Sequence, residues 1–459
     1  MSVGPAGPVG PAEATEPQDP YAPVRDRGYL KLLLVAAAVG LPVCAVAFGF
    51  LALVHALEPL LYDDLPRALG FAGPPIWWPV PLLVVAGLLV GLTIRHLPGG
   101  GGHEPADGLS VSGAPPLSAL PGVALAALAS LSFGAVLGPE APLIALGGGL
   151  ALGAARLLNR GMPAEAAAAV GAAGSFAAIS ALLGSPLVGA FLLMEVAGMA
   201  AMPGAVLVPG LLAAGIGALI FTGLGDWTGL GTYSLALHDI PKAAEPTVPE
   251  FGWALVIGVL AALAATGVRR LAVFLKGRVV RHRVPATMLM GLVVGALAVA
   301  FAAATGKSAT EMLYSGQSAL GSLFHDSAGY TVTALLMLIL CKGLAYCASL
   351  SAFRGGPIFP ALFLGAAGGV VLSHLPGLSL TAAFAMGSGA MCVAMLKLPM
   401  TSVLLATLLL GRPGLTVMPL VIVAVVVSYV VVLRLTPAPA ESAPAPAHPA
   451  PPDPAPGTA

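Results

Sequence analysis

Gly138-Pro-Glu-Ala-Pro-Leu-Ile-Ala-Leu-Gly-Gly-Gly149 sets one glutamate, Glu140, between two prolines inside an otherwise apolar stretch. Proline suits the opening turn of a helix, where an N–H has no intrahelical acceptor and φ is already near the helical value. The pattern therefore predicts a helix that starts at Glu140 and carries an apolar body from Leu143 to Leu158. That body is too short to cross a bilayer comfortably, so its N-terminal end is expected at depth rather than at a surface. A helix N-terminus bears partial positive charge and free N–H groups, which suits an anion or a carboxylate that competes with one.

The same figure recurs. Gly356 to Gly365 reads GPIFPALFLG, so Gly-Pro-x-x-Pro followed by a glycine nine residues after the first appears at Gly138/Gly147 and again at Gly356/Gly365. The displacement is 356 − 138 = 218 residues. Ser185-Pro186-Leu187 and Leu398-Pro399-Met400, each opening an apolar run, are displaced by 399 − 186 = 213. Two landmarks with nearly equal offsets indicate two structural repeats, and in membrane transporters repeats with broken helices meet around a midplane site.

Of 459 residues, 58% are hydrophobic and 9% charged, and the mean hydropathy is +0.96; soluble domains carry about a quarter charged residues. The chain is therefore expected to be an all-α polytopic membrane protein with the lipid bilayer as its surroundings. Twenty Lys+Arg balance twenty Asp+Glu, so nothing calls for nucleic acid. Cys44, Cys341, Cys347 and Cys392 lie in apolar runs without CxxC pairing and read as packing residues. The predicted organisation is a disordered tail (1–27), a first membrane repeat (28–225), a polar connector (226–250), a second repeat (251–435) and a Pro/Ala-rich disordered tail (436–459). Within it, Tyr62 to Pro75 and Gly306 to Gly329 read as polar connections, and Pro98 to Pro105 as a loop too glycine-rich to be helical. Phe251 to Val268 reads as a span followed by the basic run Arg269, Arg270, Lys276, Arg278, Arg281, His282, Arg283, which the positive-inside rule places in the cytoplasm.

These landmarks resemble the CLC family of chloride channels and proton-coupled anion exchangers over about residues 28 to 435. Gly138-Pro139-Glu140-Ala141-Pro142 is similar to the family's Gly-Lys/Arg-Glu-Gly-Pro motif, and Gly356-Pro357-Ile358-Phe359-Pro360 to its Gly-x-Phe-x-Pro. The likeness is closest to a divergent bacterial ion-transport branch with Gly-Pro-Glu in the first motif and Phe-Arg-Gly-Gly before the second, here Phe353 to Gly356. The resemblance implies two inverted-topology repeats, partly re-entrant helices and a homodimer with one anion pathway per subunit. It implies Glu140 as the gate and Gly138, Ala141, Gly356, Ile358, Phe359 and Gly102 as anion-binding positions. Departures bear on mechanism. Gly101-Gly102-His103-Glu104-Pro105 stands where the family has Gly-Ser-Gly-Ile-Pro, so the serine hydroxyl is missing at Gly102. Pro357 removes the first backbone donor of the second motif and leaves Ile358, and Pro139 removes another near the outer site. The family's late tyrosine has no counterpart, since Tyr429 falls too early. The inner glutamate of many exchangers aligns with Val196, which favours passive conduction.

Glu140 read as an ordinary surface carboxylate at a helix start would add at most about 1 kcal/mol; its apolar setting favours a functional role. Glu195 reads as the partner of a buried donor, a structural role. Lys342, mid-span, either snorkels to an interface or supplies positive potential to a pathway. Arg354 either does the same or satisfies loop carbonyls. Gly101 to Pro105 reads as a solvated turn. With no HExxH, paired aspartates on adjacent spans or credible GxSxG, the chain is not expected to be an enzyme or to need a cofactor or metal. The expected function is transport of a small inorganic anion, chloride by default, through a pathway gated by Glu140 in the cell membrane, with both tails cytoplasmic. A proton-coupled chloride or fluoride antiporter and a structural relative that has lost transport remain open.

Overall fold

The computed structural model describes residues 27–109, 113–198, 204–229 and 235–436; apart from Arg27 and Thr436, both expected tails lie outside them. Among the described residues the chain is helical, and eight helices are long and apolar enough to cross a membrane. In chain order they begin with α1 (Arg27–Pro59), which continues through a π turn (Leu60–Asp64) into Leu65–Ala68, and α2 (Pro79–His96). Then come α3 (Leu120–Ser132), α4 (Glu140–Leu158), α5 (Ala164–Leu183), α6 (Pro186–Ala197) and α7 (Gly204–Thr228). The second half holds α8 (Val248–Val279), α9 (Arg283–Thr305), α10 (Ala319–His325) and α11 (Val332–Ala352). It closes with α12 (Ile358–Leu372), α13 (Leu380–Leu396), α14 (Pro399–Leu409) and α15 (Arg412–Leu435).

Several polar stretches are more ordered than composition suggests. Tyr62 to Pro75 is not simply a connection, because helix runs on to Ala68. Tyr62 is buried and donates its hydroxyl to the Phe133 carbonyl at 2.9 Å, which draws this end of the helix into the core. The basic run begins inside α8, whose 32 residues continue beyond the apolar part and carry Arg269, Arg270, Lys276 and Arg278, and it ends across the turn Val280–His282 at Arg283, the first residue of α9. Within Gly306 to Gly329, α10 buries Leu320, Leu323 and Phe324. Pro98–Gly102 is a tight loop rather than right-handed helix, as its glycine content suggests, with Gly99, Gly100, Gly101 and Gly102 all at positive φ, a run that only glycines supply without strain.

The two repeats are visible in their packing. An added Cβ at Gly147 on α4 would meet the backbone of Gly174 on α5, and one at Gly365 on α12 would meet the backbone of Gly387 on α13. The paired positions are again displaced by 365 − 147 = 218 and 387 − 174 = 213 residues. Small residues let these helices approach closely, which is the main source of association where lipid removes the hydrophobic drive. α12, with 15 residues, spans about 22 Å at about 1.5 Å per residue, short of a hydrocarbon core of about 30 Å. Such a helix is tolerated because it is wrapped in protein: Ile358, Phe359, Ala361 and Leu362 are fully buried.

Candidate functional site

The two Gly-Pro-x-x-Pro turns touch. Gly138 and Gly356 form an isolated antiparallel bridge, with the Gly138 N–H donating to the Gly356 carbonyl at 2.8 Å and the Gly356 N–H to the Gly138 carbonyl at 2.5 Å. Pro139 and Pro357 are the N-caps of α4 and α12, so the bridge sets both helix N-termini at one buried point. Glu140 lies there at 0% exposure. Its Oε1 accepts the Phe359 N–H at 2.9 Å, across the repeat interface, while its Oε2 has no hydrogen-bond partner among the described residues. Phe359, the second residue of α12, donates the hydrogen bond here. With proline at the cap, Phe359 still presents a first-turn N–H that has no intrahelical acceptor. Tyr346 of α11, fully buried, donates its hydroxyl to the Pro357 carbonyl at 2.7 Å and fixes that turn from behind. A Cβ on either Gly138 or Gly356 would fall on the Glu140 carboxylate, so only glycine leaves room for it.

Cavities flank this point. One of about 380 Å³ is lined by Gly99, Gly102, His103, Ala141, Ile144 and Ser175. Another of about 250 Å³ is lined by Leu137, Pro139, His55, Glu58, Tyr314 and Gln317. Ala141 thus faces one cavity and Pro139 the other, with Glu140 between them in the chain. Lys276, near the basic end of α8, binds Glu104 and Asp107, which flank in sequence the cavity-lining His103 and Leu109.

Arg354 does not point freely into a pathway. At 3% exposure it donates Nε and Nη2 to the Gly100 carbonyl at 3.3 and 3.2 Å, and Nη2 lies 3.2 Å from Glu104 Oε1. Its backbone N–H donates to Ser130 Oγ at 3.0 Å. Glu104 also meets Lys276 at 2.7 Å and Arg283 at 2.6 Å. The stretch read as a solvated turn is therefore a charged tie between the glycine loop, the α8–α9 corner and the second motif. Burial opposes ionisation of Glu104, but hydrogen bonds from Lys276 and Arg283 and the charge of Arg354 outweigh it and hold the carboxyl down at about 2. Its folded value lies below the ordinary 4.5, so the stability it contributes is complete above about pH 4.5 and lost as pH falls toward 2. Glu104→Gln is expected to lower stability at pH 7 by about 1–2 kcal/mol. Thermal unfolding of detergent-purified protein at pH 7 and pH 3 checks this, since the wild type should approach the variant in acid.

Lys342 neither snorkels nor reaches either cavity. It is fully buried on α11, and Nζ donates to the carbonyls of Met312, Leu313 and Tyr314 at 3.0, 2.8 and 3.2 Å. It ties down the loop that carries Tyr314 at φ 59. Lys342→Met should leave three carbonyls without their donor and cost about 2–4 kcal/mol, read as a lowered Tm with unchanged relative flux of chloride and nitrate in the protein that folds. Glu195 takes the structural role: Oε1 accepts Met400 N–H at 2.8 Å and Oε2 accepts Thr401 N–H at 2.7 Å, capping α14 from α6. Sequence reasoning passed over Tyr346, Ser175 and Glu104. Tyr346 carried a usable signal, a tyrosine within an apolar span one helical turn after Lys342; Ser175 carried none.

Two helices from paired repeats that aim their N-termini at one buried carboxylate define a membrane transport protein of the broken-helix kind; of the two only α12 is short, since α4, expected to be short as well, has 19 residues and is among the eight long enough to cross. The family described as voltage gated chloride channel matches residues 86–433, and the chain belongs to this CLC family. Among curated relatives, "Putative ion-transport protein YfeO" of Escherichia fergusonii is 29% identical over 363 residues, covering 77% of this chain and 81% of the relative. The YfeO protein of Escherichia coli O7:K1 matches equally, at 29% over 363 residues. Among solved structures, a slow cyanobacterial Cl⁻/H⁺ antiporter superposes with TM-score 0.71 at 18% identity, covering 88% of this chain and 95% of that one. A CLC-type fluoride/proton antiporter gives 0.63 at 20%, covering 87% and 95%. At these identities the structures speak for the fold.

Proposed function

We propose that this chain moves a small inorganic anion, chloride by default, across the cell membrane by passive conduction past Glu140. The observation that carries this is the seat of the Glu140 carboxylate on the Phe359 amide, with a cavity on either side. A carboxylate on a backbone donor occupies the position a halide would take. Protonation removes its claim on that donor, and a permeating anion can displace it. The unpartnered Oε2 favours release, since a buried carboxylate oxygen without a donor is costly to keep. Once Glu140 has swung out, the anion is held by the Phe359 and Ile358 N–H groups between Gly138, Ala141 and Gly356, and Gly102 borders the inner approach. Arg354, Lys342 and Glu195 position backbone and do not touch the ion.

The chain is further read as a homodimer of two-repeat subunits (28–225 and 251–435, joined by 226–250), with the basic end of α8 and both tails cytoplasmic. Proton-coupled exchange of chloride or fluoride is the second reading. It is favoured by the two structural neighbours, a Cl⁻/H⁺ antiporter and a fluoride/proton antiporter, and opposed by Val196. A relative without transport is the third, favoured by Pro357 in the donor turn. Anion efflux from proteoliposomes, with and without a proton gradient, separates them. Conduction predicts efflux that leaves internal pH unchanged, exchange predicts proton movement against its gradient, and absence of flux for chloride, nitrate and fluoride sinks both transport readings.

A further inference from the structure

The basic run from Arg269 to Arg283 is only partly used by the protein itself. Lys276 and Arg283 are taken by Glu104 and Asp107, and Arg278 lies over the Phe274 ring at 3.8 Å. Arg270 gives Nη2 to the Leu435 carbonyl at 2.9 Å, closing the C-terminal end of α15, and keeps its remaining N–H groups. Arg269 has no ion pair or hydrogen bond among the described residues. Beside these two arginines, α8 and α15 enclose a cavity of about 330 Å³ whose other walls include Thr266, Val273, Val432 and Leu435. Among the described residues no carboxylate lines it.

The surroundings mix exposed apolar side chains with arginine. Val273 and Phe274, 50% and 55% exposed, stand on the same turns as the cations, and the rest of α8 and α15 is largely apolar. Exposed apolar side chains interleaved with arginine suit the headgroup layer, where the rings and methyls meet acyl chains and the guanidinium groups meet phosphate. We propose that Arg269 and Arg270 bind the phosphate of an anionic phospholipid of the cytoplasmic leaflet, with an acyl chain laid along Val432 and Val273. Each guanidinium supplies the forked N–H geometry a phosphodiester takes, and neither has an ion pair to displace among the described residues. The site is independent of whether the protein conducts or exchanges anions.

Binding is measured on the full chain purified in a neutral detergent, by native mass spectrometry with dioleoylphosphatidylglycerol, dioleoylphosphatidylcholine and, separately, sodium phosphate as probes. Phosphatidylglycerol should be retained in preference to phosphatidylcholine. Arg269→Gln should weaken its retention roughly fivefold, the worth of about one interfacial cation, whereas Arg281→Gln, the same charge loss outside the cavity, should change it less than about twofold. Equal losses in both variants would mean diffuse attraction and overturn the site, as would equal retention of the two lipids. Displacement of phosphatidylglycerol from wild type by millimolar phosphate would assign the cavity to a free anion instead, and this arm decides the matter even if a variant does not fold.

Discussion

Glu140→Ala should raise chloride efflux from proteoliposomes by about tenfold and abolish its dependence on pH between 5 and 8. The expectation follows from what the side chain holds. Its Oε1 occupies the Phe359 N–H at the meeting point of two helix N-termini, so removing it frees a donor already aimed at negative charge. If the carboxylate is preferred over a permeating anion by about 1.4 kcal/mol, its loss gives about a tenfold gain in open sites. In wild type, acid should increase flux, because a protonated carboxyl no longer competes as an anion. Of the acids near the gate, Glu104, held down at about 2, stays charged across the whole assay range, and Glu58→Gln measured alongside separates any contribution of Glu58, which lines the cavity beside Pro139. Unchanged flux and unchanged pH dependence in Glu140→Ala would remove Glu140 from the gate.

The second large effect is expected at Gly356. An added Cβ there falls on the Glu140 carboxylate, so Gly356→Ala must either push Glu140 off its donor or pull the Gly138–Gly356 bridge apart. Overpacking of this kind costs about 1–3 kcal/mol, and residues in contact couple strongly. Gly356→Ala alone should therefore be poorly stable, with an open-gate flux in whatever folds. Glu140→Ala, by vacating the space, should restore most of the lost stability in the double variant. A thermal-unfolding cycle across the four proteins measures the coupling; additive losses would show that the two residues do not share the space.

The fold was largely legible because its signals are periodic and local. Apolar runs gave the spans, and the matched displacements of Gly138/Gly356 and Pro186/Pro399 gave the repeat, which the Gly147–Gly174 and Gly365–Gly387 contacts display again. Glu140 was legible for the same reason, as one charge in an apolar stretch at a marked helix start. What depends on partners distant in sequence was harder to see. Glu104 gathers cations from 276, 283 and 354, and Lys342 finds carbonyls some thirty residues earlier; neither relation leaves a local pattern. Charge alone left Lys342 and Arg354 open between a pathway role and a bland one; burial with satisfied donors makes both structural ties, Arg354 on the loop carbonyl of Gly100 that one of its two readings allowed. The helical content of the polar stretches was missed because tertiary contacts, such as Tyr62 to Phe133, decide it rather than composition.

The central claim is that the Glu140 carboxylate stands in for an anion on the Phe359 amide. Crystals of Glu140→Ala grown in bromide, with wild type as the comparison, test it most directly through anomalous scattering. The account predicts a bromide peak within hydrogen-bonding distance of the Phe359 nitrogen in the variant, between the two Gly-Pro turns, and none at that position in wild type. Bromide absent from that point in the variant, with both turns intact, would contradict it.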